Sequence, residues 1–235
     1  MKQEEKTKQS IEQIINAAIP EFVTKGYEDA VLNDICRNNG ISKGRLFHHF
    51  SGKDDLYIAC CEYIARLFST HNLRFTPKSN KTLQENLHDY FIYRNVFFLQ
   101  KKGSIDILWT VTRNDISKFK HRISEIYEEC RNTNISVLEN ICETSLFPPP
   151  NLDSRAIARI FYVAQSYTVM NCALGNTIYS FSEAKQKQLF NENVVIMDSV
   201  IDTLFFGLYP RDEKEPKRMK IDWERSEEMF ERLQI

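Results

Sequence analysis

Apolar residues in the first seventy positions recur at helical spacing, not strand spacing. Ile11, Ile14, Ile15, Ala18 and Phe22 step by three and four, which predicts an amphipathic helix with Ser10 as its cap. Pro20 falls near the end of that helix, where a missing backbone donor and a clash with the preceding turn predict a kink or break. Gly26 supplies a C-terminal stop. Leu32, Ile35 and Cys36 predict a second short helix over 31–38, closed by a tight turn at Asn39-Gly40, where Gly tolerates positive φ. Ser42 caps a third helix whose Leu46 and Phe50, spaced i, i+4, bury on one side; Ser51-Gly52 ends it. Asp54 and Asp55 suit the start of a fourth helix, continued by Leu56, Cys60, Tyr63, Ile64 and Leu67.

Beyond Thr76-Pro77 the periodicity predicts longer helices at 81–101, 104–112, 115–145, 153–175 and 182–208. Pro148-Pro149-Pro150 is a stiff connector that no helix crosses. Pro210 to Pro216 reads as a charged linker, and Trp223, Met229, Phe230 and Leu233 predict a last short helix. Only 7 Gly and 7 Pro occur in 235 residues, and so few breakers favour long helices over many short strands. The fold expected is all-α: an N-terminal three-helix helix-turn-helix over 1–55, a fourth helix at 54–72 linking it to a helical bundle over 73–210, and a tail over 211–235.

The net charge of −1 announces no polyanionic partner, but screening limits each charge to about 8 Å of reach, so the local distribution decides. The third helix reads Ser42-Lys43-Gly44-Arg45-Leu46-Phe47-His48-His49-Phe50. With Leu46 and Phe50 inward, Lys43, Arg45, His48 and His49 occupy the rest of its circumference, and Lys53 follows. No acid interrupts the stretch, although Glu28, Asp29 and Asp34 precede it. A helix with one buried side and one cationic side meets the demand of the DNA major groove. The adjacent His48-His49 pair points about 100° apart and lacks the partners a metal needs.

The start of the chain has mixed charge and no apolar stretch, unlike a secretory leader, and no run reaches the roughly 18 apolar residues of a membrane span. A cytoplasmic protein with no membrane partner is expected. Six cysteines show no CxxC pair and no metal-ligand spacing, so buried reduced thiols are expected, with Cys60-Cys61 the one arrangement open to redox chemistry. Metalloprotease, hydrolase and phosphate-loop motifs are absent, and no cofactor is implied.

Taken in order, Gly26-Tyr27-Glu28, Asp34-Ile35, Gly40 to Gly44, Leu46 to Phe50 and Lys53 to Leu56 resemble the DNA-binding signature of the TetR family, over about a fifth of the chain. The resemblance implies an all-helical homodimer, most often a repressor, with paired N-terminal readers and a C-terminal ligand pocket. Lys43, Gly44 and Arg45 match positions that touch base edges, with Ser42 before them. Phe47, His48, His49 and Lys53 match positions that meet the phosphate backbone. Phe47 replaces the usual Tyr, losing a hydroxyl contact. Ala30-Val31 replaces a hydroxyl pair at the second helix, which leaves Asp29 as the substitute cap.

Under that resemblance the aromatic-rich body holds a small apolar or amphipathic ligand among His88, Phe97, Trp109, Tyr162, Gln165 and Asn171. Two seams suit dimerisation: Ile157, Phe161, Ala164 and Thr168, then Val194, Met197, Ile201 and Phe205; both serve equally as intramolecular core. The function expected is a homodimeric regulator on a palindromic double-stranded DNA operator, released by a small molecule. The rivals are an architectural or protein-interaction module of the same fold without a ligand switch, and an enzyme.

Overall fold

The computed structural model describes residues 2–101, 103, 104, 106–108, 117–146, 153–173 and 182–208, with the backbone alone at 2, 117, 167–173, 183, 187 and 205–208. Its helices are α1 (Lys2–Asp29), α2 (Leu32–Asn38), α3 (Lys43–His49), α4 (Lys53–Leu73), α5 (Leu83–Gln100), α6 (Lys120–Thr144), α7 (Ser154–Ala173) and α8 (Glu183–Leu208). A 3-10 turn at Ser117–Phe119 leads into α6, and Ser104 and Asp106 to Leu108 are helical. Thr82 and Leu146 form a single isolated bridge; no strand occurs among the described residues. The all-helical expectation therefore holds. The residues around Pro148 and those after Leu208, including Trp223 and Phe230, lie outside the described residues.

Residues 2–67 and the described part of 102–128 form one compact unit; 68–101, 129–173 and 182–208 form a second. The first is a core of Ile14, Ala18 and Phe22 from α1, Ile35 from α2, Leu46 from α3 and Leu56, Tyr57, Cys60 and Ile64 from α4, joined by Phe119 and Ile123. Two sequence expectations for α1 need correction. Ser10 does not cap it, because the helix begins eight residues earlier at Lys2 and Ser10 lies in its interior. Nor does Pro20 break it: only Gly26, at φ 76°, leaves helical dihedrals. Pro20 merely deprives the Asn16 carbonyl of a donor, and the Thr24 hydroxyl donates to the carbonyl of Pro20 itself. The chain reverses at Gly26 because a left-handed residue suits Gly.

Asp29 does not cap α2. Val31 is the N-cap, without a side-chain cap bond, and its own N–H donates to Glu21 Oε1 at 3.2 Å. Gly40 makes the turn at φ 63°, and Ile41 N–H closes it on the Cys36 carbonyl at 3.0 Å. Cys60 and Cys61 are both wholly buried, and burial pushes Cys61 up to about 12 and Cys60 well above its ordinary value. Thiols this protonated are inert, which removes the redox option for that pair.

In the second unit α5 packs on α8, and α7 on α8. α5 is buried on nearly all sides although it carries many polar residues, so each must find a partner. Asn86 donates to the Lys78 carbonyl at 2.9 Å and to Ser145 Oγ at 2.8 Å. His88 Nδ1 lies 2.6 Å from Asp198 Oδ1, and Lys81 pairs with Asp89. The start of α5 is a reciprocal cap: Thr82 Oγ1 accepts from Glu85 N at 3.2 Å, and Glu85 Oε2 accepts from Thr82 N at 2.9 Å. Thr82→Ala removes one half of that cap and should lower stability by about 1 kcal/mol. A urea midpoint equal to wild type would show that the helix start is held by packing alone.

Candidate nucleic-acid interface

α3 is seven residues long and is positioned by what it buries. Leu46 is 0% exposed in the first unit's core, and Phe50 follows it on the same side. Ser42 caps the start, its hydroxyl accepting from Arg45 N–H at 3.1 Å, and Phe50 N–H donates to the Leu46 carbonyl at 2.9 Å to close the end. Ser42, Lys43, Gly44, Phe47 and His48 are then exposed, Phe47 at 52%. Lys43 makes no hydrogen bond or ion pair among the described residues. A Cβ added at Gly44 meets no atom within 4 Å, so nothing in the chain's own packing requires glycine there.

The remaining cations are tied down. Arg45 Nε donates to Ser10 Oγ at 2.9 Å, and its Nη2 donates to Gln13 Oε1. Ser10 Oγ also lies 3.0 Å from His49 Nε2. Burial, then His48 and Arg45, holds the His49 ring below its ordinary pKa. Ser10 and Gln13 thus fix how α3 lies on α1. A capping reading of Ser10 could not find this, since the partners are 35 and 39 residues away.

Lys53 is held more firmly still. Its Nζ donates to the carbonyls of Glu28 at 2.8 Å and Ala30 at 3.3 Å and sits 4.7 Å from the centroid of the Tyr27 ring. It clips the start of α4 to the chain leaving α1. Beside it the Tyr27 hydroxyl donates to Asp54 Oδ1, and Lys118, from the 3-10 turn, pairs with Asp54 Oδ2. Lys118 first, then Tyr27, holds the Asp54 carboxyl below its usual range; burial, then Asp54, raises the Tyr27 hydroxyl. Asp34, the acid nearest the reading face in sequence, is matched by Lys25 at 3.1 Å and Arg37 at 2.7 Å. Lys118 carried no signal in the sequence, being far from the motif.

The residues expected to hold a ligand scatter in character. His88 is committed to Asp198, and Phe97 stacks within a cluster with Phe68, Phe98 and His71. Tyr162 is partly buried against the second core and Gln165 is buried; Trp109 and the side chain of Asn171 lie outside the described residues. The expected dimer seams are corrected by burial within one chain. Ile157, Phe161, Val194, Met197 and Ile201 belong to the core of the second unit, with Ala164 packed against it, so they offer no free surface. Thr168 and Phe205 lie outside the described side chains. The same two helices expose other apolar residues: Ile160 at 41%, Val163 at 66% and Ile196 at 47%.

A family model described as bacterial regulatory proteins, tetR family, matches residues 14–60, the segment that builds α1 to α4. Over 95 residues the chain is 38% identical to the biofilm operon icaADBC negative transcriptional regulator IcaR of Staphylococcus aureus, covering 39% of this chain and 48% of that protein. The N-terminal segment is therefore similar to the DNA-binding part of tetR-family regulators. The chain spans half or less of the length of the curated relatives it matches. Its fold is similar to that of a transcriptional regulator from Rhodococcus sp. Rha1, with a TM-score of 0.61 at 16% identity over 85% of this chain and 99% of that one. It is also similar to the regulator FadR of Bacillus subtilis, solved in complex with stearoyl-CoA, with a TM-score of 0.53 at 16% identity over 77% and 96%. At that identity the likeness is one of fold. Among the described residues no helix is long and apolar enough to cross a membrane, and no cluster of three metal-ligating side chains occurs.

Lys53 is held by the carbonyls that follow α1. Lys53→Met should lower the unfolding free energy in urea by about 1–2 kcal/mol, the worth of lost charge-assisted bonds. It should leave the salt dependence of DNA binding unchanged. A normal midpoint with a reduced salt slope would put the ammonium on a phosphate instead.

Proposed function

We propose that the chain is a homodimeric transcriptional regulator, acting as a repressor, whose two copies of α3 enter successive major grooves of a palindromic operator. A small ligand in the helical body releases it. In this reading residues 1–55 are the reading domain, with 54–72 leading into the body. The observation that carries it is the outer face of α3. Lys43 is exposed and has no partner among the described residues, and Gly44 stands in the first turn of α3, where it is a poorer helix former than Ala by up to about 1 kcal/mol, with no internal contact that needs it. A residue that weakens its own helix and leaves the backbone bare is explained by a partner that comes close, and a DNA base edge is such a partner.

Lys43 is then the primary base-reading cation, with Arg45, braced on Ser10 and Gln13, presenting its remaining N–H groups. Ser42, Phe47, His48 and His49 lie along the phosphate backbone, where Phe47 packs its ring on sugar. Lys53 positions rather than reads. The repressor sense is supported by the negative regulation named for IcaR, and a ligand in the body by the stearoyl-CoA named for FadR. Ligand release needs only a difference in affinity between two arrangements of the paired readers, whose grooves are about 34 Å apart.

Footprinting on DNA upstream of its own gene tests the reading. Gly44→Ala should raise the unfolding free energy in urea by up to about 1 kcal/mol, while weakening the footprint at least roughly tenfold. Full DNA affinity in that variant would show that no partner approaches this backbone.

The pairing face we propose is Ile160, Val163 and Ile196, exposed on α7 and α8. Val163→Glu should yield monomers by sedimentation with an unaltered unfolding transition measured at low protein concentration. Persistent dimers would place the contact elsewhere.

A further inference from the structure

α5 carries a buried charge that the described residues match only in part. Arg94 is 5% exposed, and its Nε and Nη1 have no hydrogen-bond acceptor among the described residues. The guanidinium lies 5.1 Å from the centroid of the Phe68 ring and 5.7 Å from that of Phe98. Tyr90 and Tyr162 stand near it; the Tyr90 hydroxyl donates its proton to Asn134 Oδ1 at 2.8 Å. Burial lowers the pKa of Arg94 from its ordinary value, yet a guanidinium keeps its proton under any working condition. The two ring faces offset part of the loss of water. They accept none of the N–H groups in the directed way a carboxylate does.

The contrast with its neighbours on the same helix is sharp. Asn86 and His88 find partners, and Lys81 answers Asp89. A second orphan lies close in register. Asn72 follows Phe68 by one turn of α4, on the same side, is 0% exposed, and leaves both its amide oxygen and its amide nitrogen without a partner. A buried cation without a matching charge is costly to the fold. Arg94 bears that cost against the stacked pair of Phe68 and Phe98, whose centroids are 5.1 Å apart.

We propose that Arg94 and Asn72 form the recognition point for an organic monocarboxylate with an apolar body in the second unit. The guanidinium would take the carboxylate by paired N–H donors, Asn72 Nδ2 would donate to the same group, and the stacked pair of Phe68 and Phe98 would form an apolar wall along one side of the carbon skeleton. One guanidinium balances one negative charge, which favours a monocarboxylate over a phosphate ester. This inference rests on the reading of the second unit as the ligand-binding part and names the chemistry of its ligand.

The test uses the full chain with 3-phenylpropionate and octanoate, their neutral amides, and octyl phosphate. Both carboxylates should raise the thermal midpoint, and the amides should not. Arg94→Met should raise the midpoint of the unliganded chain and weaken carboxylate binding by at least about tenfold in calorimetry. Arg94→Lys keeps the charge without the planar fork, and should fold and bind weakly; Asn72→Ala should lose part of the affinity. Equal shifts from carboxylates and amides would overturn the inference, as would a larger shift from octyl phosphate. So would an Arg94→Met chain that is less stable than wild type or still answers to carboxylates. Carboxylate binding without release of footprinted DNA would leave this site standing and remove the ligand switch. Release by a neutral amide, with no carboxylate bound, would do the reverse.

Discussion

A helix of seven residues cannot hold itself in water, where lengths below about 12–15 residues are marginal. Its orientation comes from burying Leu46 and Phe50 in a core shared with α1, α2 and α4. That one act of burial turns Lys43, Gly44, Phe47 and His48 outward and holds the backbone at Gly44 bare. Charge on this face matters only because the apolar side is so completely engaged. The same residues on a mobile segment would be a solvated basic stretch with no defined geometry.

Around that seat the first unit spends its polar side chains on alignment. Arg45, Ser10, Gln13 and His49 join α3 to α1, and Lys53 joins the head of α4 to the carbonyls that follow Gly26. Tyr27, Asp54 and Lys118 form a third polar junction. Exposed ion pairs contribute little each, but several donors converging on fixed acceptors restrict the angles at which the short helices meet. A rod that must fit a groove depends on those angles.

The second unit solves a different problem. α5 is buried almost all round, so its polar residues are matched by side chains from α6 and α8 and from the segments flanking α5. Arg94 breaks the pattern, and the same physics that makes matched groups cheap makes it conspicuous. Apolar residues of α7 and α8 divide by face, one side filling the core and the other exposed at Ile160, Val163 and Ile196.

Local rules acting over three to seven residues were legible without coordinates. Periodicity placed α2 to α5 to within a few residues but started α1 eight residues late; Gly26 and Gly40 marked reversals because only glycine takes positive φ cheaply; Ser42 capped α3; Leu46 and Phe50 marked the buried side. Spatial partnership was not legible. Ser10 looked like a cap, and nothing in the sequence pointed Lys53 to the carbonyls of Glu28 and Ala30 or His88 to Asp198, since a side chain's chemistry does not reveal which distant group it will meet. The apolar seams of α7 and α8 were equally ambiguous, because one hydrophobic stripe suits a core and a partner alike. Tertiary packing decided these cases, by burying one face and leaving Arg94 Nε and Nη1 without an acceptor among the described residues.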